Sequence, residues 1–192
     1  MKLSGSYQIN LSKQKVWEAL NDPEILKKAI PGCEEFKKNS DTEFTATATN
    51  KIGPFNASFT GDIELTDLNP PNSYKITGSG NSPVGFASGE ATVKLEDHEN
   101  GTNLIYEVEA NVGGKIAQVG SRLIDMTAKK MADIFFGKFS ELISNEESSS
   151  SGEASIEKIA NTTPTESKNQ NQKILIYAAA LAAVAILIYF FL

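Results

Sequence analysis

The sequence predicts an α+β domain in which helices cover one face of an antiparallel sheet. Between residues 33 and 112, short segments alternate apolar with polar residues and are separated by turn residues, a pattern typical of antiparallel strands. From residue 115 to about residue 144, apolar residues recur instead with the 3.6-residue period of a helix. We therefore expect one domain over residues 1–143, which is long enough to bury a single core.

The domain is predicted to begin with a strand and two short helices. Residues 6–11 alternate polar with apolar, as a half-buried strand does. Ser12 occupies the position of a helix N-cap, and Asp22 with Pro23 supplies the cap and the first position of a second helix. The Pro-Gly pair at residues 31–32 ends that helix.

About six strands are predicted next, joined as hairpins. Residues 55–65 show the clearest alternation, between a Gly-Pro turn at 53–54 and an Asn-Pro-Pro-Asn turn at 69–72. The Asn-Gly pair at 100–101 is the strongest short hairpin signal and joins the last two strands. Other strands are centred on residues 44–48, 74–78, 91–95 and 104–112.

The last predicted element of the domain is a long helix that begins after the glycines at 113–114 and ends near Ser144. Arg122, Asp125 and Lys129 fall on its polar side. The apolar stripe that we expect to be buried comprises Ile116, Ala117, Gly120, Ile124, Ala128, Met131, Ile134, Phe135, Phe139 and Leu142.

Beyond the domain, the composition predicts a linker and a membrane anchor. Residues 144–172 are rich in Ser, Glu and Asn and bury too little apolar surface to fold, so we expect a disordered linker. Residues 174–192 contain no charged side chain, and as a helix they would be roughly 28 Å long, close to the thickness of a bilayer core. We predict a transmembrane helix over residues 173–192. The alternative is a buried core helix.

Charge and cysteine content restrict the location and the ligand class. Lys168 and Lys173 precede the apolar run, which favours a single-pass protein of the cell membrane whose domain faces the cytoplasm. The N-terminus lacks the apolar stretch of a secretory signal, and the single cysteine, Cys33, agrees with a reducing compartment. The net charge of -6 argues against binding to nucleic acid, which requires a basic patch.

Three motifs carry a resemblance to a known family. They are IPGCE at residues 30–34, KIGPF at 51–55 and GKIAQVGSRLI at 114–124. They resemble the CoxG family of carbon monoxide dehydrogenase, and the order of elements resembles the START-like, or helix-grip, fold of the SRPBCC superfamily. The resemblance implies a curved sheet wrapped around the long C-terminal helix. It also implies an accessory protein of molybdenum hydroxylases without a catalytic role of its own, and some members of the family end in a membrane anchor.

In such a fold an apolar cavity forms where the helix stands away from the sheet. Small residues in the first half of the predicted helix would leave this space, and aromatic residues of the sheet would wall it. The candidate lining residues are Phe55, Phe59, Phe86, Ile116, Ala117, Gly120, Ile124, Ala128 and Met131. With a membrane anchor beside it, the cavity would take a hydrophobic ligand such as a quinone or a lipid. The alternative is that these residues are simply core.

No catalytic or metal site is predicted. His98 and Cys33 are the only residues of their types, too few for a His/Cys metal cluster, and no nucleophile-base pair is apparent. We therefore expect a protein that is not an enzyme, holds no metal or covalent cofactor, and recruits a molybdenum hydroxylase to the membrane. Arg122, the only arginine, is either a solvated residue or part of a surface that docks this partner.

Two other functions remain open. A START-like enzyme, a cyclase or a hydrolase acting on hydrophobic substrates, would need polar side chains that converge in the cavity, and Tyr106, Glu90 and Asp62 are the candidates. A lipid-binding or lipid-transfer protein without a hydroxylase partner would use the same cavity with an apolar lining.

Overall fold

A computed structural model describes the backbone of residues 1–150 and the side chains of residues 1–145. The elements follow the predicted order of one strand, two short helices, six strands and a long helix. They are β1 (Lys2–Ile9), α1 (Lys13–Ala19), α2 (Pro23–Ala29), β2 (Cys33–Lys38), β3 (Glu43–Ile52), β4 (Phe55–Asn69), β5 (Ser73–Ser82), β6 (Gly85–His98), β7 (Gly101–Gly114), a 3₁₀ helix (Lys115–Val119) and α3 (Ser121–Ser150).

All seven strands form one antiparallel sheet in the order β1-β7-β6-β5-β4-β3-β2. Strands β2 to β7 are therefore consecutive hairpins, as the turn residues predicted. The exception is β1, which pairs with β7, the last strand in sequence, so that Lys2 lies opposite Glu109 and Ile9 opposite Thr102. An antiparallel sheet followed by a long helix is consistent with the helix-grip fold, and this part of the prediction is confirmed.

The two short helices differ in how their first turns are capped. Asp22 accepts hydrogen bonds from the backbone N–H groups of Glu24, at 2.8 Å, and Ile25, at 3.3 Å, with Pro23 at the first helical position. This confirms the predicted cap. Ser12 occupies the N-cap of α1, but its side chain makes no capping hydrogen bond.

The predicted long helix begins before the observed one and also ends before it. Residues 115–119 form a separate 3₁₀ helix, and Gly120 interrupts the path with a φ of 90°. An α-helix cannot pass through a positive φ, so α3 starts only at Ser121. Ile116, Ala117 and Gly120 therefore do not belong to the long helix. At the other end α3 continues to Ser150, into the first residues of the predicted linker.

The buried face of α3 overlaps the predicted stripe but is rotated from it. Ile124, Ala128, Phe135 and Phe139 are buried as expected, whereas Met131, Ile134 and Leu142 are only half-buried. The buried positions that the stripe missed are Ala132, Phe136 and Ile143. The helix packs against α2 and the edge strand β1, and this two-sided contact buries a wider face than one stripe.

No helix within residues 1–150 is long and apolar enough to cross a bilayer. The predicted transmembrane helix at residues 173–192 and the linker from residue 151 onward lie outside the described residues. Both stay predictions.

Candidate functional site

The apolar face of the sheet has a recessed centre because its middle strands carry very small side chains there. Ala46 on β3 lies opposite Gly61 on β4, which lies opposite Gly80 on β5, and Gly80 lies opposite Ala87 on β6. No side chain in this row exceeds a methyl group. The adjoining row continues the pattern on β5, β6 and β7 with Gly78, Gly89 and Ala110. Glycine inside a strand marks strong curvature or a close approach of the backbone to another group.

Most of the predicted lining residues belong to the hydrophobic core or pack against it. Phe59, Ile116, Ile124 and Ala128 belong to one continuous buried cluster. Phe55 and Met131 are half-buried and pack against that cluster. Six of the nine candidates therefore belong to the hydrophobic core of the domain or pack against it, and Ile116 does so from the 3₁₀ helix and not from α3.

The other three candidates lie outside the buried cluster. The side chain of Phe86 is 51% exposed. Its neighbour Ala87 is buried, and because side chains alternate along a strand, Phe86 points to the opposite face. Ala117 is half-buried outside the core cluster, and Gly120 is exposed with open space around it.

Two buried polar atoms of the hydrophobic core were missed by sequence reasoning. Trp17 on α1 and Tyr74 on β5 pack edge to face, with ring centroids 5.7 Å apart. The Nε1 of Trp17 and the hydroxyl of Tyr74 are buried without a hydrogen-bond partner. Burial raises the pKa of Tyr74 well above its ordinary value of 10.0. Tyr74 shares one face of β5 with Ile76, Gly78 and Gly80. The period-two alternation of this strand was therefore the signal that could have predicted a buried tyrosine hydroxyl.

A second aromatic cluster joins α3 to the edge of the sheet. The hydroxyl of Tyr7 on β1 donates to Asp133 on α3. The ring of Tyr7 stacks on Phe136 at a centroid distance of 4.0 Å, and Tyr106 on β7 stacks on the same ring at 5.7 Å. Burial, followed by the hydrogen bond to Asp133, raises the pKa of Tyr7. These contacts hold the helix in a fixed position over β1 and β7.

The three polar residues that were candidates for an enzyme, Tyr106, Glu90 and Asp62, do not converge. Tyr106 is 2% exposed on the apolar face. Glu90 and Asp62 are exposed, and Asp62 accepts a hydrogen bond from Thr45 Oγ1 at 2.8 Å on the polar face. The grooves on that face, of about 560, 330 and 470 Å³, are lined by groups including Asp62 and Glu90 and by none of the predicted lining residues.

The remaining candidates for chemistry are peripheral. Within residues 1–150 no group of three or more His, Cys, Asp or Glu side chains could hold a metal ion. His98 is exposed and its Nδ1 lies 3.1 Å from Nε2 of Gln8. Cys33 is half-buried, and burial raises the pKa of its thiol to about 11. Arg122 is exposed on the first turn of α3.

The model of the CoxG family, which takes its name from a component of carbon monoxide dehydrogenase, matches residues 5–144. The chain belongs to this family. The matched segment begins inside β1 and ends within α3, so it contains the whole sheet and the interior described above. Among curated protein sequences there is no match to the chain.

Solved structures share the fold of this CoxG-family domain. A conserved protein from Geobacillus kaustophilus is 31% identical, with a TM-score of 0.73, and the match covers 76% of this chain and 97% of that one. A protein from Rhizobium leguminosarum is 14% identical, with a TM-score of 0.58 and coverage of 76% and 95%. A protein of unknown function from Staphylococcus aureus is 12% identical, with a TM-score of 0.58 and coverage of 77% and 96%. At these lower identities the likeness shows the fold alone.

Proposed function

We propose that this chain is a non-enzymatic accessory protein that brings a cytoplasmic molybdenum hydroxylase of the carbon monoxide dehydrogenase type to the membrane. In this proposal it also holds a hydrophobic ligand, such as a quinone, between the sheet and α3. The observation that carries it is membership in the CoxG family over residues 5–144, which fits an accessory role for carbon monoxide dehydrogenase.

The interior suits an apolar ligand that carries a hydrogen-bond acceptor. The recessed centre of the sheet offers only hydrogens and methyl groups, from Gly61, Gly80 and Ala46. Trp17 Nε1 and the Tyr74 hydroxyl are donors that have no partner among the described residues. A buried donor without a partner costs about 1–3 kcal/mol, which a ligand carbonyl would offset. A quinone combines such a carbonyl with an apolar body.

The membrane half of the proposal rests on the apolar run at residues 174–192. A helix there would anchor the protein in a single pass and keep the domain on the cytoplasmic side. Tethering raises the effective concentration of the domain, and of any enzyme bound to it, beside the bilayer from which an apolar ligand comes. Alkaline extraction of membranes tests this, since an inserted chain stays with the lipid and a chain ending at residue 173 should be released.

The ligand is tested by purifying the full chain from its native membrane and identifying extracted small molecules by mass spectrometry. Ala46→Leu fills the recessed centre and should reduce the recovered ligand by about tenfold, because a leucine side chain occupies part of the ligand's volume. Thr47→Leu is the matched control, since it adds an apolar side chain on the opposite face of the same strand. Equal recovery from both variants would remove the interior as the binding site.

The partner is tested by co-purification of the full chain with proteins of its native host. Recovery of a molybdenum hydroxylase supports the accessory role. Recovery of phospholipid and no hydroxylase, over repeated preparations, would replace it with lipid binding or lipid transfer.

A further inference from the structure

Three large apolar side chains are exposed among the described residues, and all lie at one end of the domain. Phe86 is 51%, Leu123 37% and Met126 61% exposed. Phe86 is near the start of β6, directly after the β5–β6 turn, and Leu123 and Met126 belong to the first two turns of α3. Isolated exposed apolar residues need no explanation, but a group confined to one end marks a contact surface.

Contacts among the described residues link the turns at this end to the 3₁₀ helix and to α3. Ile116 N donates to Val84 O at 2.9 Å, which ties the β5–β6 turn to the 3₁₀ helix. A Cβ added to Gly53 would lie 3.1 Å from Leu123 Cδ2 and 3.5 Å from Val119 Cγ1, so the β3–β4 turn reaches α3 as well. We call this surface the apolar rim: residues 51–55, 83–86 and 113–126.

The rim is cationic although the chain as a whole carries a net charge of -6. Its cations are Lys51, Lys115 and Arg122, all exposed, and they outnumber its single acidic residue, Asp125. None of the ion pairs among the described residues involves these cations. The opposite ends of the same strands carry more acidic residues, which include Asp67 and Asp97.

Exposed apolar side chains beside an excess of unpaired cations match the surface of an anionic bilayer, where apolar groups enter the headgroup region and cations meet phosphates. The length of the remaining chain permits this contact. Helix α3 has 30 residues and is about 45 Å long. Residues 151–173 span at most roughly 80 Å, which exceeds the length of α3. The domain of a chain anchored at residues 174–192 can therefore turn back and place the rim against the same membrane.

We propose that the apolar rim docks onto a lipid bilayer that carries anionic headgroups, and so presents this end of the domain to the membrane. The inference rests on the membrane half of the proposed function and is independent of the hydroxylase and of the identity of the ligand. It assigns Arg122 to lipid contact, in place of a protein partner.

The test uses the full chain in a Cys33→Ala background, reconstituted into phosphatidylcholine vesicles with or without phosphatidylglycerol. Met126→Cys carries an environment-sensitive fluorophore at the rim. Glu99→Cys carries the same fluorophore in the β6–β7 turn, at the other end of β6, as the matched control. We expect blue-shifted, brighter emission at position 126 on phosphatidylglycerol vesicles, a smaller change on phosphatidylcholine alone, loss of the change at high salt, and constant emission at position 99.

Replacing Lys51, Lys115 and Arg122 together with Gln should shift the docking equilibrium toward the undocked state by on the order of 100-fold. The reason is that each cation contributes about 1 kcal/mol of attraction to an anionic surface. Circular dichroism should show an unchanged fold.

Vesicle flotation separates the two proposals. If the chain does not float with vesicles, the anchor of the proposed function fails. If it floats but position 126 stays in water, or positions 126 and 99 respond equally, the rim proposal alone is overturned.

Discussion

At the residue scale, a tyrosine hydroxyl stabilises the folded protein at position 7 and destabilises it at position 74. The hydroxyl of Tyr7 donates to Asp133. The hydroxyl of Tyr74 is buried without a partner. A hydrogen bond contributes about 0.5–1.5 kcal/mol, whereas an unpartnered buried polar group costs about 1–3 kcal/mol. The two tyrosines therefore predict opposite responses to the loss of one oxygen atom.

We expect Tyr74→Phe to raise the free energy of unfolding of ligand-free protein by roughly 1 kcal/mol and to lower the amount of ligand retained. Tyr7→Phe, the matched control, should lower the free energy of unfolding by about 1 kcal/mol and leave ligand retention unchanged. Urea titration measures the first quantity and mass spectrometry the second. A loss of stability in Tyr74→Phe would mean that its hydroxyl is satisfied in the protein and is not a free donor.

Which face a residue occupies could be predicted wherever the strand alternation is unambiguous. Phe59 was assigned correctly from the period of two. Phe86 was not, although Ala87, Ala91 and Val93 alternate on the buried face of β6 and so place Phe86 on the opposite face. The predicted strand at residues 91–95 has the same alternation, and extending it back to residue 86 gives the observed face.

At the element scale, helix boundaries were predicted correctly where a residue gives a strong local signal, and wrongly elsewhere. Asp22 and Pro23 begin α2 as predicted. The start of α3 was missed because apolar residues at 116, 117 and 124 keep the helical period on both sides of Gly120. The spacing of apolar residues shows only which side chains face the core. Gly120, with a φ of 90°, ends the helical backbone without changing that spacing, so the spacing could not reveal the break.

The two N-caps provide a matched pair of variants. Asp22→Ala removes the acceptor for two backbone N–H groups and should lower the free energy of unfolding by about 1 kcal/mol. Ser12→Ala should change it by no more than a few tenths of a kcal/mol, because the Ser12 side chain makes no capping hydrogen bond. Thermal and urea unfolding of both variants measure the difference. Equal losses would contradict the capping role of Asp22.

At the scale of the whole molecule, stability should decline in alkali. The pKa values of Tyr7, Tyr74 and Tyr106 are all raised above 10.0, chiefly by burial, and that of Cys33 is raised from 9.0 to about 11. Each group then ionises more readily in the unfolded chain. The stability they contribute is complete below pH 9 and is lost progressively as the pH rises past 9 for Cys33 and past 10 for the tyrosines.

Urea midpoints measured from neutral pH upward check this expectation, and Cys33→Ala should remove the part of the decline that begins near pH 9. Tyrosine absorbance provides the control, since the buried groups should ionise together with unfolding. Ordinary titration of all tyrosines in the folded protein near pH 10 would contradict the burial argument.

The order of elements and the hairpin connections were predictable because each depends on local turn residues. The recessed centre of the sheet was not, since it arises only when Ala46, Gly61, Gly80 and Ala87 from different strands fall into one row. The small residues were visible in the sequence, but their alignment depends on the registers of three strand pairs.

The pairing of the first strand with the last gives the domain a late point of completion during synthesis. The amino group of Met1 donates to Ala110 O at 2.6 Å, across 109 positions of sequence. A ribosome-bound chain that has not yet released β7 has no partner for β1, whatever hairpins have already formed. We expect the pairing of β1 with β7 to be slow relative to hairpin formation, because the segment between these two strands spans most of the domain. Until β7 emerges, the nascent domain exposes both β1 and its apolar face.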